Sequence, residues 1–241
     1  MPNYFVNCII SYYAIGLMNV LKKILKSLYF LLLPFYRLYI KKIIKFFDYH
    51  FGYCIVYSNI PYYLLAPMPK GGETLLKKGC QELKKSGYTF FLTGGTLLGI
   101  YRDGKLIAHD TDIDVDIIGP VDEQKLDAIF TKKLKLTLGL KITYRKKAQQ
   151  LVYYSKNNTT FDLHCWEVDG DWAENKTHKH LIWRHSMSFY RKLSHILFDG
   201  YNYPIPDKVE EFLTFVYGKT WRTPSTAKPT PFADRFDIIK R

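Results

Sequence analysis

The stretch FLTGGTLLGIYRDGKLIAHDTDIDVDII, Phe91–Ile118, decides how this chain is read. It runs from an apolar segment into Thr93, Gly94, Gly95 and Thr96. A helical segment follows, Leu97 to Arg102, then a turn at Asp103-Gly104 and an alternating segment. Asp110, Asp112, Asp114 and Asp116 take every second position of that segment. Successive side chains of a strand point to opposite faces, so Asp112, Asp114 and Asp116 share one face. Like charges at short range in a low-dielectric site repel strongly. A strand gains no stability from such a row. A divalent cation or a raised carboxylate pKa resolves it. Solvated acids on an exposed edge strand are the alternative, but Ile113, Val115, Ile117 and Ile118 read as buried.

Two glycines after a strand and before a helix let the backbone approach a ligand closely, and amides at a helix start can hold a phosphate. Two carboxylates one residue apart, just beyond such a turn, suit Mg²⁺ bridging a nucleotide pyrophosphate. That ion prefers one or two carboxylates plus phosphate oxygens and water. A two-metal arrangement usually adds a third carboxylate from a neighbouring strand. Asp162 is the candidate, because it stands alone in the apolar, aromatic run TTFDLHCWEV. The other reading of Asp162 is a partner for a lysine or arginine.

The chain around this stretch has 241 residues, 47% of them hydrophobic, enough to bury a core, and a formal net charge of +13. The basic excess points to a polyanionic partner, an anionic membrane surface or a phosphorylated substrate, unless it only keeps the surface solvated. Cys8, Cys54, Cys80 and Cys165 lack the spacing of a zinc ribbon or a disulfide framework and read as free thiols. No aromatic-basic platform for nucleic acid is evident. The sequons at Asn157, Asn158 and Asn175 would matter only in a secreted chain.

The excess is partly segregated. Residues 1–47 hold seven Lys/Arg and no Asp or Glu. Val20, Leu21, Ile24, Leu25, Leu28 and Leu32 recur at helical spacing, and after Pro34 the pattern resumes through Tyr36, Ile40, Ile43, Ile44 and Phe47. Tyr and Phe mixed with Lys on apolar helices fit a membrane interface; a helical hairpin packed on its own domain is the alternative. Residues 4–21 are long enough to span a bilayer but are diluted by Asn, Ser and Tyr. If they span, the lysines that follow favour a cytosolic C-terminal domain. The expected organisation is a membrane-associating helical region over 1–60, a Pro/Gly-rich linker over 61–72, and a catalytic domain over 73–241.

Within that domain the spacing predicts a helix from Glu73, ending at Gly87, and a strand at Tyr88–Leu92. A hairpin is expected around Asp199-Gly200, and a helix over DKVEEFLTFVYG with Asp207 as N-cap and Gly218 past its end. Arg145 to Gln150 reads as a hairpin or surface segment. His164, Cys165, His178, His180 and His185 crowd one region without a zinc signature; plain surface and contact with an anionic substrate are the other readings. The four tryptophans read mostly as core.

The run Gly94-Gly95-Thr96-Leu97-Leu98-Gly99, then Arg102, then Asp110-Thr111-Asp112-Ile113-Asp114, resembles the LicD family of phosphotransferases, which includes fukutin and fukutin-related protein. A second match is YPIPDKVEEFLTFVYGKTWRTP, so the resemblance spans roughly Glu73 to Pro224. Ala108 and His109 stand where the family has Pro-Trp, a departure that bears on the pocket rather than on the carboxylate pair. The resemblance implies an α/β (α+β) nucleotidyltransferase-type fold, a small mixed sheet flanked by helices. It implies Asp112 and Asp114 as the metal pair, Asp162 as third carboxylate, and Mg²⁺ or Mn²⁺ as the ion. Gly94, Gly95 and Thr96 would cradle donor phosphates, Arg102 would be a charged contact or an anchor, and Asp110 would support the pair. The implied reaction moves a phospho-group from a CDP-linked donor to a hydroxyl of a glycan or glycolipid acceptor; transfer of NMP from an NTP to a protein or small molecule, and an inactive membrane-bound scaffold, are the alternatives. The basic front region would set the chain at the cytoplasmic face of a membrane.

Overall fold

The computed structural model describes residues 55–58, 71–156, 159–178, 181–224 and 237–240. The chain divides into two compact units, 1–50 and 51–241, and the described residues belong to the second. The expected membrane-associating helices, Cys8, Cys54, Asn157, Asn158 and His180 lie outside the described residues. Among the described residues no helix is long and apolar enough to cross a membrane.

The strands are β1 (Ile55–Ser58), β2 (Thr89–Leu92), β3 (Asp112–Ile118), β4 (Thr137–Tyr144), β5 (Lys147–Tyr154), β6 (Thr160–Asp169), β7 (Trp172–His178), β8 (Leu181–Ser186), β9 (Leu193–Phe198), β10 (Tyr201–Pro206) and β11 (Asp237–Lys240). The helices are α1 (Gly72–Lys85), α2 (Gly94–Asp103), α3 (Glu123–Asp127), which continues as a π-turn over Ala128–Lys133, and α4 (Val209–Tyr217). Nine strands of the described residues form one mixed sheet, larger than the small sheet expected. Among the described residues only the β3–β6 pairing is parallel; β2 pairs β3, and β1, β4, β5 and β6 follow one another antiparallel. A separate two-stranded sheet is the β9–β10 hairpin.

Local chemistry explains most of this. In α1, Leu76, Cys80 and Leu83 are buried at helical spacing. The helix rides so close to β6 that a Cβ on Gly79 would sit 2.3 Å from the Phe161 ring. The β4–β5 hairpin turns on Arg145 and Lys146, φ 46° and 65°, the positive pair that a primed two-residue turn needs. Asp199 and Gly200 turn the β9–β10 hairpin as expected. The core gathers Leu76, Phe91, Leu97, Val115, Phe161 and Phe212, with Phe91 stacked on Tyr190 at 4.6 Å. Trp166 and Trp221 are buried in it, and so are the unpaired Cys80 and Cys165, whose thiols burial pushes far up from their ordinary pKa.

Three local expectations differ from the structure. Residues 55–58, placed by sequence in the helical front region, form an edge strand of the catalytic sheet; Ile55, Val56 and Tyr57 are strand-favouring residues that find a partner in β4. Asp207 does not cap α4. Its carboxylate accepts from Ser194 Oγ at 2.6 Å, and Lys208 occupies the cap position without a side-chain bond. Asn175 is buried, its amide donated to the carbonyls of Gln149 and Cys165, so this sequon is not accessible in the folded chain.

Candidate active site

The site is built where β2, α2 and β3 meet. β2 delivers the chain to Thr93, α2 starts at Gly94, and β3 returns beside β2 with Phe91 opposite Asp116. Thr93 N–H donates to the Asp114 carbonyl at 3.3 Å, and Asp114 N–H donates to Thr96 Oγ1 at 2.9 Å. The turn and the strand are thereby stitched at Asp114. Asp110, Asp112 and Asp114 each place one carboxylate oxygen within 4.8 Å of the others, the one such acidic group among the described residues able to hold a metal ion.

The two glycines make room for these acids. Gly94 has φ +54°, and a Cβ there would lie 2.2 Å from Asp114 Oδ2. A Cβ on Gly95 would lie 2.1 Å from Asp110 Oδ2. The Gly95 amide, read from sequence as a phosphate donor, gives its hydrogen to Asp114 Oδ2 at 2.8 Å. The first turn of α2 therefore bonds a carboxylate at the positive end of its dipole. Thr96 is buried, its hydroxyl spent on the Asp114 backbone. Arg102, at the other end of α2, pairs with Asp103 at 2.7 Å and donates to the Trp221 carbonyl at 3.3 Å, which makes it an anchor of the C-terminal segment.

The parallel ladder brings the second half of the site. Asp112, Asp114 and Asp116 stand opposite Thr160, Asp162 and His164. Asp162 is buried; its Oδ2 accepts from Gln150 Nε2 at 2.8 Å, and its Oδ1 has no hydrogen-bond partner. Asp162 lies outside the three-oxygen group but is the strand neighbour of Asp114. Asp116, only 2% exposed, is turned away from the role of ligand: His164 Nδ1 lies 3.5 Å from its Oδ1. His185 is elsewhere, in the aromatic core, bonded to the Tyr190 hydroxyl.

The electrostatics are those of acids crowded on one face. Burial, then the hydrogen bond and charge of Asp112, pushes the Asp110 carboxyl up to about 8. Burial and the charges of Asp112 and Asp162 push Asp114 well above the usual carboxylate range. Burial pushes Asp162 up to about 6 against the opposing pull of His164 and Gln150. Burial disfavours charge on His164, yet Asp162 and Asp116 override it and push the imidazole up to about 10. A hard cation answers all three carboxylate shifts at once, and an all-oxygen donor set with a spare buried Oδ1 fits Mg²⁺ or Mn²⁺.

The sequence alone did not single out Gln150 or assign His164 to the acid row. A signal for the first was present: Gln149 and Gln150 interrupt an otherwise apolar strand, AQQLVYY.

The profile of the LicD/FKTN/FKRP nucleotidyltransferase domain matches residues 87–208. The chain is 25% identical over 164 residues to the proteins named ribitol-5-phosphate transferase FKTN of Homo sapiens and of Mus musculus, a stretch covering 64% of this chain and 34% of each relative. It thus spans about a third of the length of the curated relatives it matches. Among solved structures, it is similar to the lincosamide antibiotic adenylyltransferase LnuA (TM-score 0.41, 13% identity, 61% of this chain and 86% of that one). It is also similar to the antibiotic-resistance factor ANT(2'')-Ia (TM-score 0.45, 13% identity, 70% of this chain and 82% of that one). The family profile covers half of the chain, from the strand before the glycine turn through the hairpin that precedes α4, and the chain belongs to the LicD/FKTN/FKRP nucleotidyltransferase-domain family.

Proposed function

We propose that this chain is a divalent-cation-dependent transferase that moves a phospho-group, such as phosphocholine or a phospho-alditol, from a CDP-linked donor to a hydroxyl of a glycan or lipid-linked glycan precursor. The observation that carries the reading is the convergence of Asp110, Asp112 and Asp114 on the glycine turn of α2. Family membership supports the reaction class, and the relatives' printed name, ribitol-5-phosphate transferase, supports a phosphorylated alditol as cargo.

Asp112 and Asp114 would hold the cation, with Asp110 beside them and Asp162 completing the set. Bound there, Mg²⁺ would neutralise phosphate charge and favour departure of the nucleotide. The chain's own residues supply the rest. The α2 amide fixes one oxygen of Asp114, so the carboxylate is oriented before substrate arrives. Gly94, Gly95 and Thr96 serve the donor phosphates through the acids they hold. Asp162, beside Asp114 in the ladder, would help orient the attacking hydroxyl. The Lys-rich residues 1–47 would bring the enzyme to the cytoplasmic face of a membrane and its lipid-linked acceptor.

A panel of CDP-ribitol, CDP-glycerol, CDP-choline and NTPs, each with and without EDTA and read by released nucleotide, tests this. Metal-dependent CMP release from a CDP-donor, lost in Asp112→Ala, is expected. Consumption of an NTP with pyrophosphate release would reassign the chemistry to nucleotidyl transfer. Full activity in Asp112→Ala would overturn the site.

A further inference from the structure

Asp162 is held by one oxygen and leaves the other unmatched. Its Oδ2 accepts from Gln150 Nε2 at 2.8 Å and lies 4.0 Å from His164 Nε2. Its Oδ1 is buried with no hydrogen-bond partner. An unmatched buried carboxylate oxygen is costly, and a carboxylate free to rotate would relieve that cost by presenting either oxygen to whatever donor is near.

Gln150 removes this freedom. It stands on β5, where its Cα pairs with His164 and Val152 pairs with Asp162. Cross-strand partners share a face, so Gln150, Asp162 and His164 lie on the face that carries Asp112, Asp114 and Asp116. His164 is drawn toward Asp116, its Nδ1 being nearer to that acid than its Nε2 is to Asp162. The close donor to Asp162 is therefore the Gln150 amide. A glutamine suits this position because it donates without adding charge to a face already crowded with acids. A glutamate of the same shape would repel Asp162 instead of holding it.

We propose that Gln150 is a positioning residue for the third carboxylate: it locks Asp162 through Oδ2 so that Oδ1 is the oxygen offered to the cation. This rests on the reading of Asp162 as part of the metal site. Partners that hold a metal ligand typically matter by about 10–100-fold in metal affinity.

The test is Mn²⁺ titration of the full chain, counting free Mn²⁺ by its paramagnetic resonance signal, in the unaltered protein and in Gln150→Leu, Gln150→Glu, Asp162→Asn and Val152→Ala. Val152→Ala disturbs packing next to Asp162 and removes no donor. The expected result is an affinity about 10–100-fold weaker in Gln150→Leu and weaker still in Gln150→Glu, with Val152→Ala close to the unaltered protein. Should Gln150→Leu not fold, Gln150→Glu, which keeps the side-chain shape, carries the comparison. Unaltered Mn²⁺ affinity in the Gln150 variants, with Asp162→Asn weakened, overturns the positioning role alone. Equal weakening in Val152→Ala overturns it as well. Unaltered affinity in Asp162→Asn, or no Mn²⁺ binding by the chain at all, overturns the metal-site reading and this inference with it.

Discussion

Asp114 and Asp162 stand directly opposite each other in the parallel ladder of β3 and β6, and among the described residues neither is neutralised by a basic side chain at salt-bridge distance other than His164, 4.0 Å from Asp162. A half-buried acid facing a buried one on the next strand is tolerable only if a cation or a proton sits between them. Asp114→Asn and Asp162→Asn should each lower metal-dependent nucleotide release by at least about 100-fold, the upper end of what losing a ligand's supporting partner alone costs. The double variant should be little worse than the worse single, because the two act as one unit. Additive losses in steady-state rates would show that they act separately.

The two glycines of α2 should fail differently. The Gly95 Cβ would meet the far end of the Asp110 side chain, which can swing away. Gly95→Ala should therefore unfold at nearly the same temperature while binding Mg²⁺ more weakly. The Gly94 Cβ would meet the Cβ and Cγ of Asp114 as well as Oδ2, and the backbone there is left-handed. Gly94→Ala should lose about 1–3 kcal/mol of stability, by chemical denaturation, as well as metal binding.

Stability without metal should fall as pH rises, and the stabilisation that metal adds should grow. Asp110, pushed up to about 8, and Asp162, pushed up to about 6, keep protons that the unfolded chain releases near pH 4. The unfolded state then binds fewer protons, so stability in EDTA falls as pH rises from about 4 to about 8. His164, raised to about 10, acts in the same direction: its contribution is complete below about 6.5 and is lost as pH climbs through its folded value. Mg²⁺ competes with those carboxylate protons, so the rise in melting temperature on adding Mg²⁺ should grow between pH 5.5 and pH 8. A metal-induced shift that shrinks over this range would contradict the assignment of these acids as ligands.

Arg102→Ala should separate architecture from chemistry. Arg102 is largely buried and ties the end of α2 to the Trp221 carbonyl, away from the acids. Its loss should cost about 1.5–3 kcal/mol in denaturant unfolding, in the range of hydrogen bonds to charged groups, with Mg²⁺ affinity unchanged. Lost metal binding in a folded Arg102→Ala would place it in the site after all.

Much of this architecture is legible in Phe91–Ile118. The apolar strand, the glycine turn, the short helix and the alternating acids all appear in order. The helix nevertheless starts at Gly94, three residues before Leu97. Glycine is a poor helix former, and what holds it there is tertiary: Asp114 and Asp110 fill the space that side chains would need. Asp207 misled for a similar reason, since the Ser194 hydroxyl of the neighbouring hairpin captures the carboxylate that could have capped α4.

The sequence by itself determined the row of acids and the face it lies on, because strand alternation and glycine sterics are local rules that need only neighbouring residues. It also pointed to Asp162 as an acid out of place in an apolar run. Only the tertiary structure decided that Asp162 stands beside Asp114, that His164 serves Asp116, and that Gln150 holds Asp162. Those relationships depend on the register between β3, β5 and β6, which long-range pairing sets. A slip of one residue in that register would carry Asp162, His164 and Gln150 to the opposite face, and no local pattern in the chain records which register wins.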